Sequence, residues 1–169
     1  VQGLSLRDLG LSLKGFRKHL WVYVGLFLLV LPFVFAASGT EVFLDKYPLF
    51  RKLPRGEHAQ EWLLLWEASY GLQFVALEFF FRGALLFGVV RVLGPWAIPA
   101  MVVPYTMIHF GKPAAEAVGA ILAGGALGLL ALRTRSIYAG MIIHIGIAWS
   151  MDLLALFRKG KLLGLLGFD

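Results

Sequence analysis

The chain contains no cysteine, and few of its 169 residues carry a charge. Without cysteine it can form no disulfide, no thiolate metal ligand and no cysteine nucleophile, while the redox compartment stays open. Only 15% of the residues are Lys, Arg, Asp or Glu, whereas 59% are hydrophobic, and the mean hydropathy is +0.78. Soluble domains carry about 25% charged residues. The composition therefore predicts an integral membrane protein.

The sequence also lacks a Ser/Pro-rich linker, a low-complexity block and an internal repeat, so we expect residues 1–169 to form a single membrane domain. It begins at Val1 rather than Met, and we expect further N-terminal residues to precede it.

The net charge of +6 comes from basic clusters that alternate with apolar runs. Clusters placed in this way meet lipid headgroups more often than nucleic acid. We therefore expect the lipid bilayer as a partner and no nucleic acid. The positive-inside rule leaves the orientation open, because similar numbers of basic residues fall on the two sides. The clusters are Arg7, Lys14, Arg17 and Lys18, then Arg51, Lys52 and Arg55, then Arg158, Lys159 and Lys161.

Long apolar runs predict an all-α polytopic transmembrane bundle of about five spans, together with interfacial helices. Residues 1–19 alternate apolar and basic positions, which is typical of an amphipathic interfacial segment. The predicted spans cover residues 20–37, 61–92, 96–110, 114–132 and 137–157.

Individual residues refine these helices. Pro95 is expected to end the second span, and Pro99 and Pro104 to interrupt the third. We expect Trp21 and Tyr23, near the start of the first span, to lie at the level of the lipid headgroups. Small residues at four-residue spacing, Ala120, Gly124 and Gly128, predict a face of the fourth span against which another helix packs closely.

Two charged residues, Glu78 and Arg82, lie within the second span. Charges inside a membrane helix cost much free energy, so their presence needs a reason. Residues four apart share one helix face. The pair therefore either neutralises itself and pins helices together, or orders an active site.

Four further ionisable residues lie in apolar surroundings, which are His109, Glu116, His144 and Asp152. Because each would be costly to bury alone, we expect the whole set to meet in one polar cavity. A carboxylate and a histidine there could activate water while a second histidine stabilises an oxyanion. A proton or ion path is an alternative. Zinc is possible but unsupported, no cofactor is required, and the His-Glu-x-x-His signature of metalloproteases is absent.

Three short motifs on successive predicted helices resemble the CAAX-protease and bacteriocin-processing (CPBP) family, also called Abi or type II CAAX endopeptidase-like. Its signatures are Glu-Glu-x-x-x-Arg, Phe-x-x-x-His and His-x-x-x-Asn or Asp. The first is matched by Leu77-Glu78-Phe-Phe-Phe-Arg82, the second by Tyr105-Thr-Met-Ile-His109, and the third at His144 alone. The resemblance implies a CPBP-like core over residues 62–157.

In the family's proteases the first Glu and the second-motif His are thought to activate water, and the third motif to form the oxyanion hole. Here Leu77 and Ala148 replace two of those four groups. Glu78, Glu116 and Asp152 are the acids that could substitute.

The resemblance implies an intramembrane endopeptidase that cuts a membrane-anchored or prenylated protein or peptide. Glu78 or Glu116 would activate the water together with His109. His144 would stabilise the oxyanion, Arg82 would orient Glu78, and Asp152 would orient a histidine. We expect a multi-pass protein of the bacterial inner membrane. The alternatives are an inactive scaffold or bacteriocin-immunity protein, which Leu77 and Ala148 favour, and a small transporter, which would normally show inverted repeats.

Overall fold

The structure, a computed structural model, describes residues 3, 5–50 and 58–165, except for the side chains at positions 14 and 15. This part of the chain contains helices and no strand. A π-helical segment, Phe79–Leu86, joins α4 to α5, and a short 3₁₀ turn, Gly94–Trp96, joins α5 to α6. The α-helices are α1 Leu13–Lys18, α2 Leu20–Ala37, α3 Glu41–Lys46, α4 Ala59–Glu78, α5 Phe87–Leu93, α6 Ala97–Met107, α7 Ala114–Thr134, α8 Tyr138–Arg158 and α9 Leu162–Leu165.

Four helical stretches of the described residues are long and apolar enough to cross a membrane. They are Leu20–Ala37, Ala59–Met107, Ala114–Thr134 and Tyr138–Arg158. The predicted all-α membrane fold is thereby confirmed. The count is four because the second and third predicted spans, 61–92 and 96–110, lie in one helical run of 49 residues.

The prolines of this run do not break it as the sequence suggests. The α-helix does end before Pro95, where Gly94 adopts a φ of +53° that suits glycine. Pro99, however, is the third residue of α6, where a backbone N–H has no intrahelical acceptor in any case. Pro104 lies inside α6, so the expected interruption of this helix is wrong.

The described chain divides into two compact units. Unit 1 comprises Val1–Tyr23 and Val75–Ile142, and unit 2 comprises Val24–Phe74 and Ile143–Asp169. A single membrane domain over residues 1–169 stays a prediction.

The core of unit 1 lies where α6 packs on α7 and on the π-helical segment. Leu86, Met101 and Tyr105 are fully or almost fully buried there. A Cβ atom at Gly124 would lie 3.0 Å from a ring carbon of Tyr105, and one at Gly128 would lie 2.9 Å from the Met101 methyl group. The predicted close-packing face of this helix is confirmed.

The N-terminal segment of unit 1 also packs on this core. Among the described residues of the predicted interfacial segment, only α1 is helical, and turns precede it. The Gly10 carbonyl accepts a hydrogen bond from the Ile137 N–H at 3.0 Å, while Leu9 and Leu11 contact the core. Gly10 has a φ of +84°, and a Cβ there would lie 2.6 Å from the Phe87 ring.

Unit 2 has two smaller clusters of buried side chains. One joins Phe43 and Tyr47, at and just after α3, to Ala155 of α8. The other joins the start of α4 to the end of α8 and to α9, through Leu63, Leu156 and Leu165. The predicted basic cluster at Arg51, Lys52 and Arg55 lies outside the described residues.

Candidate active site

The centre of the candidate site is the ion pair between Glu78, the last residue of α4, and Arg82 in the π-helical segment. Arg82 Nη1 donates to Glu78 Oε1 at 2.8 Å, and the two side chains are 1% and 0% exposed. The predicted sharing of one helix face is confirmed for these two residues. π-Helical turns interrupt the regular hydrogen bonding of an α-helix and occur often at functional sites. The location of Arg82 in such a segment is therefore consistent with a functional site.

Tyr105 of α6 holds Arg82 from the other side. The Arg82 guanidinium carbon lies 4.1 Å from the centre of the Tyr105 ring, a cation–π contact. Phe81 meets the same ring edge-on, with 5.3 Å between the ring centres. The guanidinium is therefore fixed between the Glu78 carboxylate and an aromatic face, which restricts how Arg82 and Glu78 can move.

His109 follows Tyr105 by one helical turn and is almost fully buried. The two rings are 4.8 Å apart, and His109 Nδ1 lies 2.9 Å from the Tyr105 backbone carbonyl oxygen. A carbonyl can only accept, so Nδ1 carries a proton in this hydrogen bond. When the ring is neutral, its lone pair is on Nε2, which is the tautomer suited to a general base.

A small internal cavity adjoins the ion pair and has room for about one water molecule. Glu78 and Arg82 form part of its wall, as do Tyr23, Ser136 and Gly140. A Cβ atom at Gly140 would lie only 2.5 Å from Glu78 Oε2. The glycine at this point of α8 thus leaves the space that the Glu78 carboxylate occupies.

Glu116 lies in the first turn of α7 and pairs with Lys112. Lys112 Nζ donates to Glu116 Oε1 at 2.6 Å, and both side chains are about one-fifth exposed. Glu116 is not part of the cavity wall. Its carboxylate is therefore neutralised by a neighbouring residue of the chain.

The two remaining predicted site residues, His144 and Asp152, belong to unit 2. The His144 ring packs on the Phe74 ring with 4.3 Å between centres. Asp152 is buried, and its Oδ1 accepts a hydrogen bond from the Leu49 N–H at 3.1 Å. Unit 1 therefore brings together Glu78, Arg82 and His109 through Tyr105, and unit 2 holds His144 and Asp152 in contacts of its own.

Neither unit, within its described residues, places three His, Asp or Glu side chains close enough to ligate one metal ion.

Sequence reasoning missed several cavity residues. Tyr23 is 3% exposed and lines the cavity, and its expected position at the level of the lipid headgroups stays a prediction. Tyr105 was recognised only as a motif residue and not as the partner of Arg82. No sequence signal marked Ser136, because a serine in a turn before a helix is unremarkable.

Comparisons with known proteins show the family of the chain. No curated protein and no solved structure matches the chain. A family model described as type II CAAX prenyl endopeptidase Rce1-like matches residues 59–150, more than half of the chain. The matched region contains the ion pair, Tyr105, His109, Ser136, Gly140 and His144. The chain belongs to the Rce1-like family of type II CAAX prenyl endopeptidases.

Proposed function

We propose that this membrane protein is an intramembrane endopeptidase that hydrolyses a peptide bond of a membrane-anchored or prenylated protein. The observation that carries the proposal is the Glu78 carboxylate, buried and held by Arg82 beside a cavity of the size of one water molecule. A carboxylate fixed beside a water is the arrangement that general-base hydrolysis needs. The proposal includes a place in the bacterial inner membrane.

In the proposed reaction the water oxygen attacks the carbonyl carbon of the scissile peptide bond. Glu78 takes a proton from the water, and the carbonyl oxygen becomes an oxyanion. When the tetrahedral intermediate collapses, the C–N bond breaks and the departing nitrogen receives a proton. The reaction involves no oxidation or reduction, and its products are a carboxylate and an amine.

The other predicted site residues have roles in the same scheme. Arg82 orients Glu78, and the Nε2 lone pair of His109 assists proton transfer. His144 stabilises the oxyanion, and Asp152 orients a histidine. Both acids that the sequence left open as the base are paired with a cation, and the cavity favours Glu78 because Glu78 lines it and Glu116 does not.

An inactive scaffold or immunity protein is the second candidate function. Two positions of the family motifs favour it, Leu77 and Ala148. Leu77 packs against the apolar core of unit 1, and Ala148 is buried in unit 2. Neither side chain can act as a base or donate a hydrogen bond.

The test compares C-terminal peptides of all membrane proteins, by mass spectrometry, in cells that carry wild type or a variant. Glu78→Gln removes the base. His109→Asn keeps an amide N–H near the position of Nδ1, so that the bond to the Tyr105 carbonyl can persist, and removes Nε2. Glu61→Gln and His58→Asn are the matched controls, because both side chains are exposed by 70% or more.

A peptide trimmed in wild type and both controls, but not in Glu78→Gln or His109→Asn, supports the endopeptidase. Loss of trimming by Glu116→Gln with retention by Glu78→Gln would move the base to Glu116. Identical peptide profiles, at equal amounts of each protein in the membrane, would favour the scaffold.

A further inference from the structure

The cavity wall contains two buried hydroxyl groups, those of Tyr23 and Ser136. Tyr23 and Ser136 are 3% and 2% exposed. Among the residues that the structure describes, neither Tyr23 Oη nor Ser136 Oγ has a hydrogen-bond partner. A buried hydroxyl without a partner costs free energy, so most such groups bond to protein or to ordered water.

The position of these hydroxyls beside a cavity indicates that a water molecule could supply their missing hydrogen bonds. Both residues line the cavity that Glu78 and Arg82 also line. Arg82 Nε and Nη2 are likewise buried, and neither has a hydrogen-bond partner in the described part of unit 1. A buried water needs two to four polar partners and a cavity of about its own size, and this cavity meets both conditions.

We infer that Tyr23 and Ser136 bind a water molecule against Glu78, and that this is the water consumed in the proposed hydrolysis. The second clause rests on the proposed function, whereas the water site itself does not. Tyr23 comes from the start of α2 and Ser136 from the turn before α8. They are positioning residues that compensate in part for the acid and amide groups replaced by Leu77 and Ala148.

The two hydroxyls suit this role chemically. A hydroxyl both donates and accepts, so each of the two can donate a hydrogen bond to a lone pair of the water or accept one from an O–H of the water. With its other contacts satisfied in this way, the water directs a proton to the carboxylate and a lone pair outward. Neither hydroxyl needs to gain or lose a proton during the reaction.

The first test measures thermal stability in detergent, which requires no substrate. With a bound water, Tyr23→Phe and Ser136→Ala each lose a hydrogen bond, and the melting temperature falls by a few degrees. Without water, Tyr23→Phe removes an unsatisfied buried group, and the melting temperature rises. Thr106→Val is the matched control, because Thr106 Oγ1 is also buried without a partner among the described residues and does not line the cavity.

The second test measures cleavage of the peptide that the membrane-protein comparison identifies. We expect Tyr23→Phe and Ser136→Ala each to lower kcat about ten-fold, with KM unchanged, because the hydroxyls hold water rather than peptide. Tyr138→Phe, which removes a hydroxyl outside the cavity wall, is the control for Tyr23.

The outcomes separate the water site from the proposed function. A fall in both melting temperature and kcat supports the whole inference. A rise in the melting temperature of Tyr23→Phe, or an unchanged kcat in both variants of an active wild type, overturns it. If wild type cleaves nothing while the melting temperature falls, the water site is supported and only the proposed function is overturned.

Discussion

The Glu78 carboxylate fills the space beside Gly140, where a Cβ atom would lie 2.5 Å from Glu78 Oε2. Real Cβ atoms do not approach other atoms so closely, so this carboxylate position exists only because residue 140 has no side chain. Arg82 holds Glu78 from the same helix, at 2.8 Å. The position of the candidate base therefore depends on an ion pair within one helical run and on a missing methyl group in another helix.

Gly140→Ala is expected to displace the Glu78 carboxylate and to abolish most of the peptide cleavage. Overpacking of this kind costs about 1–3 kcal/mol, part of which the better helix propensity of alanine offsets. Cleavage and unfolding in mixed detergent micelles measure the two effects. Gly119→Ala is the control, because nothing lies within 4 Å of a Cβ there. Full activity of Gly140→Ala would show that the observed Glu78 position is not the reactive one.

Arg82→Met is expected to destabilise the protein by about 3–5 kcal/mol, because it leaves the Glu78 carboxylate buried without its partner charge. Glu78→Gln in the same chain removes that charge. The double variant should therefore be less destabilised than the sum of the single variants, by about 0.5–3 kcal/mol. Unfolding free energies of the wild type and three variants form the double-mutant cycle. Additive effects would contradict a coupled pair.

Neighbouring glycines of α7 offer a second matched comparison. Gly124→Ala should cost about 1–3 kcal/mol, because its Cβ would press on the Tyr105 ring that packs on Arg82. Gly125→Ala meets nothing within 4 Å and should leave stability unchanged or raise it by up to about 1 kcal/mol. The measurement is again the free energy of unfolding. Equal effects at the two positions would mean that α6 and α7 do not pack through residue 124.

Asp152→Ala is expected to destabilise the protein by about 1–3 kcal/mol, because the Leu49 N–H loses its acceptor. Asp152→Asn keeps an oxygen at that position and should cost less than about 1 kcal/mol. Comparing unfolding and cleavage of the two variants distinguishes two roles. If Asp152→Asn is stable but cannot cleave, the carboxylate takes part in the reaction, as expected if Asp152 orients a histidine.

Much of the helical layout was predictable because each helix carries its own signal. The predicted first span, 20–37, is α2 itself, and the last, 137–157, differs from α8 by one residue at each end. Apolar run length determines such boundaries, since the membrane requires about 20 apolar residues. The pairing of Glu78 with Arg82 was also predictable, because four-residue spacing is a property of one helix.

The prolines and Tyr23 show what the sequence of a single helix does not determine. Pro99 is harmless because it falls in the first turn of α6, and that depends on where the 3₁₀ turn before it ends. The sequence also gives no sign that Tyr23 lines a cavity of unit 1. The rotation of α2 about its axis decides this, and a helix that is apolar all round gives no sign of that rotation.

The sequence by itself determined that this is a membrane protein of apolar helices, that its buried acid lies one turn from a buried arginine, and which family motifs it carries. Composition, run length and spacing along a single helix suffice for those conclusions. Only the tertiary structure decided that Tyr105 packs on Arg82, and that Tyr23, Ser136 and Gly140 enclose a cavity at Glu78. These residues come from separate segments, and only the packing of those segments brings them together.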